Sequence, residues 1–418
     1  MKGCTDMCAC VGGLRPTSRV WGGRGRAAAW GGRNNTVSVI YSAAPITADP
    51  MAKGAAMPST RHIYLAQTQP GFEAIAATEI AQRLDGADIL DARSVSDKNG
   101  MLRFAYPGDP RDLLTLRTVE DIFVAAAETR DLAPGFAALR QLEHLATTAP
   151  GIERAIRLVR QVDPRRGGEG RIHYRVVARQ VGRAPYRRVD AQIAVERGIA
   201  ARPDHRWRLS ADGGIEIWLT QWPGEALLMV RLSDERMRHR TYKVEHLPAS
   251  LRPAAAAALA WLTSPRDDDV FLDPMCGAGT ILIERAHLGR YRALIGGDSD
   301  PDAVATARAN IGSRYQPISI HEWDARQLPL DAGSVTALAV NLPFGAQVGS
   351  VEENRDLYPA FLREAARVLR PGARCVALSG DVRTLGDALR RNNRLVRRAT
   401  YPVIILGRRA AVVVAERV

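Results

Sequence analysis

The sequence predicts an α/β protein in which a doubly wound, mainly parallel sheet follows a smaller α+β module. Strands and helices alternate along residues 266–418, and such alternation is typical of parallel strands joined by crossover helices. The final stretch, "RLVRRATYPVIILGRRAAVVVAERV", holds two strands with only a short turn between them, which predicts an antiparallel hairpin at one edge of the sheet. Residues 61–235 instead mix short strands, helices and a hairpin, and a chain of 418 residues is long enough for several cores.

The bulk composition indicates a soluble globular protein. Hydrophobic residues make up 46% and charged residues 25% of the chain, and no apolar run approaches the roughly 20 residues that span a bilayer. The net charge of +13 favours a polyanionic partner such as RNA through counterion release. Because arginine supplies most of the basic excess, genomic base composition explains the charge equally well.

The cysteines indicate a reducing compartment, and we expect a cytoplasmic protein. They are Cys4, Cys8, Cys10, Cys276 and Cys375, and they lack the paired spacing of a zinc site. We therefore expect neither a disulfide framework nor a bound metal, and we take the protein to be a monomer.

Residues 1–60 are rich in glycine and arginine and show no sustained periodicity, which predicts a disordered tail. The segment lacks the apolar core of a secretory signal. An organelle transit peptide and an RNA-contacting tail both agree with its arginine content. We favour a third explanation, an over-extended translation start with Met51 or Met57 as the true beginning.

Residues 61–130 predict a small α+β unit. A strand over 63–67 turns through Gly71 and Phe72 into an amphipathic helix that ends at Gly86. A second strand lies in "GMLRFAYPGD", and "DLLTLRTVEDIFVAAAET" continues as a helix and then a strand.

Residues 131–235 predict a second α+β unit with a basic surface. Helices over 136–146 and 151–161 precede a strand, a third helix and an antiparallel hairpin about a Pro-Gly turn. Eight arginines crowd one stretch of this unit: Arg165, Arg166, Arg171, Arg175, Arg179, Arg183, Arg187 and Arg188. They predict either an RNA-binding face that contacts phosphates or an ordinary solvated face, and their spacing favours neither. Residues 236–265 follow as a linker and a lead-in helix.

The stretch "VFLDPMCGAGTILIE" predicts a loop that holds a small cationic or zwitterionic ligand. A buried strand ends in Asp273, and a turn through Gly277 and Gly279 opens a helix with unpaired N–H groups. The loop lacks the third glycine of a nicotinamide-binding loop, and the Asp273 carboxylate would repel a pyrophosphate. S-adenosylmethionine, with its amino-acid end and its sulfonium, fits better. The candidate cofactor residues of this loop are Asp273, Pro274, Cys276, Gly277, Gly279 and Thr280.

Acidic residues also follow the next two strands. Asp298 is placed to accept both ribose hydroxyls of the cofactor, with Asp300 as the alternative. Asp300 and Asp302 equally suit a cap of the following helix, and we expect one acid to serve each purpose. Asp324, followed by Ala325, is placed to accept from the adenine amino group, although a lone Asp after a strand is usually a cap or turn residue.

The fourth strand of this series ends in "NLPFG". Pro343 stiffens the turn and fixes the direction of the Leu342 carbonyl, so that this carbonyl and the Asn341 side-chain oxygen form two acceptors for one exocyclic amino group. Phe344 offers a face on which a flipped base can stack, and Gly345 leaves the approach open. The alternative is a plain strand-ending turn with a buried Phe. The pattern predicts Asn341, Leu342, Pro343 and Phe344 as the catalytic residues.

"DPMCGAGT", "GGDSDP" and "NLPFG" together resemble the motifs of the THUMP-domain RNA guanine-N2 methyltransferases. "LRTVEDIF", "RMRHRTYK" and "LRPAAAAALAWL" resemble segments at the expected places in that family, and the resemblance covers residues 61–418. It implies a Rossmann-like methyltransferase domain over 266–418, a ferredoxin-like domain over 61–130 and a THUMP domain over 131–235. It further implies that the N-terminal module grips the acceptor end of tRNA while the catalytic domain methylates a guanosine N2.

Two departures from the family pattern bear on the chemistry. Cys276 replaces a different small or polar residue, and we interpret it as packing against the cofactor, because methylation of an amino group needs no nucleophile. Leu342 stands where adenine-N6 enzymes mostly have a second proline, which favours guanine as the target. Ribosomal RNA as substrate and a non-catalytic RNA-binding protein with a vestigial domain are the alternatives.

Overall fold

A computed structural model describes residues 61–95, 99–204, 206–211, 214–245, 247, 250–345 and 350–418. The tail predicted over residues 1–60 lies outside the described residues. Within these ranges the strands form two sheets, one in each half of the chain. None of the described helices is both long enough and apolar enough to cross a membrane.

The N-terminal half is built on one mixed sheet. Its strands are β1 (His62–Thr68), β2 (Asp88–Val95), β3 (Asn99–Tyr106), β4 (Asp121–Thr129), β5 (Ile172–Gln180), β6 (Trp207–Leu209), β7 (Ile215–Trp222) and β8 (Glu225–Arg231). Its helices are α1 (Glu73–Arg83), α2 (Ala137–Thr148), α3 (Gly151–Val162), α4 (Arg188–Ala200) and α5 (Glu235–His239). The strands lie in the order β2-β3-β1-β4-β8-β7-β5-β6.

The two α+β units that the sequence predicts separately share this sheet. Strand β4 of the first unit pairs antiparallel with β8 of the second, with Phe123 opposite Arg231. One apolar core therefore runs from Tyr64 in β1 to Ile199 in α4. The chain passes from one unit to the other through the loop after Thr129, and the domain bounds predicted at residue 130 stay a prediction.

One local prediction in this half needs correction, and two strands are not predicted. The helix predicted before β4 is only a 3-10 turn over Asp112–Thr115. Neither β2 nor β6 is predicted from the sequence. Strand β2 is an edge strand in which the apolar Leu90 is exposed, and β6 has three residues, so neither leaves a clear periodic signal.

The C-terminal half confirms the predicted parallel sheet with a terminal antiparallel hairpin. Its strands are β9 (Val270–Asp273), β10 (Ala293–Asp298), β11 (Ile318–Glu322), β12 (Val335–Asn341), β13 (Leu369–Ser379), β14 (Leu395–Ile405) and β15 (Arg408–Arg417). Its helices are α6 (Pro253–Leu262), α7 (Thr280–His287), α8 (Pro301–Ile311), α9 (Val351–Val368) and α10 (Val382–Arg391). In the order β11-β10-β9-β12-β13-β15-β14, strands β9 to β13 are parallel and β15 inserts antiparallel beside β13.

Helix α6 lies between the two halves and is buried on nearly every side. Its run of alanines, 254–258, leaves little exposed surface, because small side chains let neighbouring elements approach on all faces. The helix contacts α7 and the sheet of the C-terminal half, and it also contacts α1. At its end, the Trp261 indole N–H donates to the Thr78 hydroxyl of α1 at 2.9 Å.

A buried carboxylate joins the two halves beside α6. The fully buried Glu284 of α7 accepts two hydrogen bonds, at 2.8 and 2.9 Å, from the Arg117 guanidinium of the N-terminal half. It also accepts from the Tyr242 hydroxyl at 2.5 Å and lies 3.7 Å from the Arg240 Nε. Burial, assisted by the Glu284 charge, raises the pKa of Tyr242 well above its usual range. Removing one partner of such a cluster would leave a charge buried without compensation.

The start of α1 docks directly on β14. The Ile404 N–H donates to the Pro70 carbonyl at 3.0 Å, so the N-terminal half forms a backbone hydrogen bond with the C-terminal sheet. Gly71 has φ of 91°, and a Cβ added there would lie 2.2 Å from the Pro402 carbonyl oxygen. Phe72 is buried in the same apolar cluster as Val403. A glycine is required at this contact for both its backbone conformation and its lack of a side chain.

Replacing this glycine, and a control glycine with a similar backbone conformation, should separate the cost of the steric clash from the cost of the left-handed backbone. We expect Gly71→Ala to lower the free energy of unfolding by about 3 kcal/mol or more, because it combines left-handed strain with a backbone clash. Gly135→Ala is the matched control, since Gly135 has φ of 70° and a Cβ there meets nothing within 4 Å. That control should cost only about 1 kcal/mol. Urea unfolding of both variants measures the difference, and equal losses would contradict a close contact at Gly71.

Candidate active site

A cavity of about 510 Å³ opens at the carboxyl ends of β9, β10 and β12. Asp273, Asp298 and Asn341 are the last residues of these three strands, and parallel strands bring their carboxyl ends to one edge of a sheet. The predicted site residues that line the cavity are Asp273, Pro274, Cys276, Gly277, Thr280, Asp298, Asp300, Asp324, Ala325, Asn341, Leu342, Pro343 and Phe344. Gly279 does not line it; with φ of 76° it forms the N-cap of α7 and faces Ala307.

Asp273 is the most heavily buried acid of the cavity. The residue is only 1% exposed, and neither carboxylate oxygen has a hydrogen-bond partner among the described residues. Burial raises the pKa of Asp273 well above its usual range; the Met275 backbone N–H acts against this shift, and the nearby Asp298 carboxylate adds to it. A buried, unpartnered carboxylate is costly, so the site is built for a ligand group that carries N–H donors or positive charge.

The loop after Asp273 is held by backbone hydrogen bonds to β10. The Cys276 N–H donates to the Gly297 carbonyl at 2.8 Å, and the Gly277 N–H donates to Asp298 Oδ2 at 2.9 Å. Gly277 has φ of 51°, a conformation that favours glycine. Burial raises the pKa of the Cys276 thiol well above its usual range, with Asp273 adding to the effect. Cys276 is therefore an uncharged packing residue in this structure and not an activated nucleophile.

Asp298 and Asp300, the two acids at the end of β10, have different hydrogen-bond roles. Asp300 is the N-cap of α8 and accepts a hydrogen bond from the Asp302 N–H at 2.9 Å. Asp298 accepts from the Gly277 N–H and, at 3.2 Å, from the Asp300 N–H. Each Asp298 oxygen thus keeps acceptor capacity for a ligand. This arrangement matches the expectation that one acid caps the helix while the other stays available.

Asp324 lies at the cavity but already has a partner. The Arg326 guanidinium donates to both of its carboxylate oxygens, with Nη2 2.6 Å from Oδ2. This pair holds the pKa of Asp324 below its usual range. The position of Asp324 after a strand predicts an available carboxylate, whereas the structure shares this carboxylate with Arg326.

Trp323 is a wall of the cavity that the sequence analysis does not identify. Its indole N–H donates to the Pro274 carbonyl at 3.1 Å, which ties β11 to the loop after β9. The ring lies so close to Gly297 that an added Cβ there would be 2.0 Å from Trp323 Cε2. The glycine pair in "LIGGD" is the signal that a bulky neighbour approaches this strand.

The turn after β12 is held by hydrogen bonds to β13 and to α9. The Leu342 N–H continues the ladder to the Leu378 carbonyl at 2.9 Å, while Asn341 Oδ1 is buried without a partner among the described residues. The fully buried Tyr358 places its hydroxyl against both the Pro343 carbonyl and, at 2.9 Å, the Ser379 hydroxyl. Burial raises the pKa of Tyr358 to about 12, so the phenol keeps its proton.

Phe344 is only partly buried. It packs against the backbone of Gly380, where an added Cβ would lie 2.6 Å from Phe344 Cδ2. The ring is therefore neither fully exposed nor fully buried, and one side of it contacts Gly380, the residue that follows β13. Tyr358 and Gly380 lie far along the chain from the motif, and no local pattern identifies them.

Most of the eight predicted RNA-binding arginines make contacts within the protein. The Arg166 guanidinium donates to the Leu232 and Ser233 carbonyls at 2.6 and 2.8 Å. Arg179 donates to Gln67 at 2.6 Å and lies 4.2 Å from the centre of the Trp218 ring. Burial, with the nearby Arg238 charge, lowers the pKa of Arg179 to about 10.

The rest of the cluster divides in the same way. Three more side chains are engaged: Arg175 pairs with Glu216, Arg187 with Asp190, and Arg188 donates to the Ala178 carbonyl. Arg165, Arg171 and Arg183 are exposed and form no ion pair in the part of the chain that the structure describes. Five of the eight arginines thus already make contacts within the protein, and the RNA-binding role of the eight stays a prediction.

Comparison with known proteins identifies the family. Residues 240–410 match the family model described as RMKL-like, methyltransferase domain (UPF0020). Over 316 residues the chain is 30% identical to the tRNA (guanine(6)-N2)-methyltransferase of Thermus thermophilus, which covers 75% of this chain and 88% of that protein. The chain belongs to the tRNA (guanine(6)-N2)-methyltransferase family. This confirms the predicted resemblance, while the THUMP assignment of residues 131–235 stays a prediction.

Other members of the methyltransferase family agree in fold and differ in length. The crystal structure of TrmN from Thermus thermophilus has a TM-score of 0.69 and 27% identity, and the match covers 85% of this chain and 100% of that one. The bovine tRNA (guanine(6)-N(2))-methyltransferase THUMP3 is 34% identical over 243 residues, or 54% of this chain and 48% of that protein. The chain thus spans about half the length of the mammalian relatives.

S-adenosylmethionine, the predicted cofactor, fits the donor set of the cavity. The unpartnered Asp273 carboxylate matches the amino group of its amino-acid end, and Asp298 has acceptor capacity for hydroxyl groups. Among the described residues, no group of three or more His, Cys, Asp or Glu side chains could hold a metal ion.

Asp273→Asn should weaken cofactor binding and stabilise the ligand-free protein. Loss of a hydrogen bond to a charged group costs about 1.5–3 kcal/mol, so we expect the Kd for S-adenosylmethionine to rise roughly tenfold to a hundredfold. Titration calorimetry measures this, with Asp302→Asn as the control, because Asp302 does not line the cavity. Unchanged affinity in Asp273→Asn would refute the assignment.

The stability change has a defined pH dependence. Because the folded-state pKa of Asp273 is raised, the wild-type protein loses stability as pH rises from the unfolded pKa of about 4 through the folded pKa. The Asp273→Asn variant does not lose stability in this way, because its amide does not titrate. Its melting temperature without cofactor should therefore exceed that of the wild type near pH 8 and approach it near pH 4.

Proposed function

We propose that this protein methylates the exocyclic N2 amino group of a guanosine in tRNA, at position 6 as its relatives are named. The observation that carries the proposal is the pair of buried acceptors in one cavity, Asp273 and Asn341 Oδ1, that have no hydrogen-bond partner among the described residues. The first suits the amino group of the methyl donor, and the second suits the amino group that receives the methyl. S-adenosylmethionine, when bound, supplies the electrophilic methyl group.

The cofactor half of the cavity would be formed by the ends of three strands. Asp273 would hold the amino group, and Asp298, oriented by the Gly277 N–H, would accept the ribose hydroxyls. Trp323 and Ala325 would enclose the adenine, with Asp324 sharing its carboxylate between Arg326 and the adenine amino group. The acidic lining favours a ligand with positive charge over a dinucleotide.

The substrate half would be formed by the turn after β12. Asn341 Oδ1 and the Leu342 carbonyl would accept the two N–H groups of the guanine amine and so direct its lone pair. The hydrogen bond from Tyr358 to the Pro343 carbonyl supports this geometry, since it holds the turn on a buried side chain. Phe344 would stack on the flipped base. Positioning of this kind can supply up to about 7–11 kcal/mol, and proton loss to water after transfer needs no general base.

The substrate class is supported by the rest of the molecule. The net charge of +13 favours a nucleic acid as the partner. A buried ion pair joins the N-terminal half to the catalytic half, so an RNA bound by the N-terminal half would be held at a fixed position relative to the cavity. We propose that the enzyme acts as a monomer in the cytoplasm on tRNA.

Asn341→Ala tests the assignment of the amide. We expect turnover on tRNA to fall about 10²–10³-fold, because the variant loses an acceptor that is aimed at the reacting amine. The Kd for S-adenosylmethionine, measured by calorimetry, should stay within a few-fold of the wild type. Activity equal to that of the wild type would contradict the assignment of Asn341.

The target base and RNA class need a separate measurement. Labelled methyl transfer onto total RNA, followed by nucleoside analysis of the tRNA and rRNA fractions, should give N2-methylguanosine in tRNA. Methyladenosine would overturn the base assignment, and label confined to rRNA would overturn the RNA class. Asn341→Ala is the matched control for both.

A further inference from the structure

The turn between β14 and β15 forms part of the cavity wall. Ile405, Leu406 and Arg408 line it together with the catalytic turn after β12. Ile405 pairs with Arg408, so Leu406 and Gly407 are the two central residues of the hairpin turn. This turn belongs to the last two strands of the chain and carries none of the family motifs quoted above. Its place in the cavity comes from tertiary structure alone.

Arg408 is unusual in its charge. The cavity lining contains four carboxyl groups, Asp273, Asp298, Asp300 and Asp324, of which Asp324 is already paired with Arg326. Among the described residues that line the cavity, Arg408 is the one basic side chain. Such a lining attracts a cationic cofactor but repels the phosphates of an RNA backbone. A polyanionic substrate therefore needs a compensating cation, and Arg408 is placed to supply it.

Arg408 is also available. Its residue is exposed, and it forms no ion pair or side-chain hydrogen bond within the part of the chain that the structure describes. Two other arginines of the same hairpin are engaged: Arg398 pairs with Glu416, and Arg417 donates to the Ala366 carbonyl. Arg397 and Arg409 are exposed like Arg408, but neither lines the cavity. A guanidinium left without a partner beside an acidic cavity is suited to a phosphate group.

Leu406 carries backbone strain at the same turn. It has φ of 50° and is followed by Gly407 with φ of 78°, so both central residues of the turn are left-handed. Such turns strongly prefer Asn before Gly, because asparagine adopts this conformation at lower cost than leucine. Leu406 is nevertheless 61% exposed. A strained, exposed apolar residue at a cavity points to a contact with something that the chain itself does not provide.

The N-terminal half sets the position of this turn. The backbone hydrogen bond from Ile404 to Pro70 lies two residues before Leu406, and Gly71 rests against the Pro402 carbonyl. The module that is predicted to bind RNA is thus attached directly to the wall that faces the substrate. This attachment fixes the distance between the predicted RNA-binding module and the cavity.

We propose that the β14–β15 turn is the RNA-side wall of the active site. Arg408 binds a backbone phosphate next to the target guanosine, and Leu406 packs against the flipped nucleotide. Arg408 thereby offsets the repulsion between the acidic cavity and the RNA chain. The inference rests on the proposed function in taking a flipped guanosine of an RNA as the substrate.

Salt-dependent RNA binding tests the role of Arg408. The full chain is titrated with unfractionated tRNA by filter binding at several salt concentrations, so that no turnover is needed. Arg408→Gln should weaken binding and reduce the slope of log K against log salt by about 0.7 to 0.9, the value for one lost phosphate contact. Arg409→Gln is the matched control, because Arg409 is exposed, follows directly and does not line the cavity. Its slope should equal that of the wild type.

The outcomes separate this inference from the proposed function. An unchanged slope in Arg408→Gln, with normal tRNA binding by the wild type, overturns the inference alone. Equal reductions in both variants also overturn it, since they indicate a diffuse charge effect. Absence of tRNA binding by the wild type overturns both proposals.

Leu406→Asn tests the apolar contact without harming the fold. Because Asn-Gly suits this turn, the melting temperature should stay the same or rise. The Kd for tRNA should rise about fivefold, as expected for the loss of a partly covered leucine contact. Wild-type tRNA affinity in this variant would overturn the assignment of Leu406.

Discussion

The docking of the N-terminal half onto the catalytic sheet is the constraint on which the rest of the structure depends. The fully buried Glu284 receives Arg117, Arg240 and Tyr242, and the desolvation of its charge is offset only when all of them are in place. Glu284 lies on α7, the helix that begins directly after the cofactor loop. The same residue therefore links the predicted RNA-binding module to the edge of the site.

The site itself is organised by what the protein leaves unsatisfied. Most buried polar groups in a folded protein have partners, yet Asp273 and Asn341 Oδ1 do not among the described residues. Around them the structure is tightly satisfied: Gly277 binds Asp298, Trp323 binds Pro274, and Tyr358 supports the catalytic turn. These open acceptors thus stand where a ligand can offset their cost, and the rigid residues around them hold them in place.

Much of this arrangement could be predicted because the residues concerned stand at the ends of strands. Asp273, Asp298 and Asn341 each follow a short apolar run, and parallel strands must bring their carboxyl ends together. Helices α2 and α3 could be predicted within a residue or two from their apolar spacing. The short strand β6 and the edge strand β2 could not, because each derives its stability from pairing with strands distant in sequence.

The sequence by itself therefore determined the fold class, the order of the strongly periodic elements and the residues at one edge of the sheet, since these follow from local periodicity and from motifs. Only the tertiary structure decided which charged side chains remain available. Arg166 and Arg179 are occupied by groups from β1 and from the end of β8, and Asp324 is shared with Arg326, whereas Arg408 is left facing an acidic cavity. Whether a charge is paired or free depends on neighbours that approach from distant parts of the chain, and no local pattern contains that information.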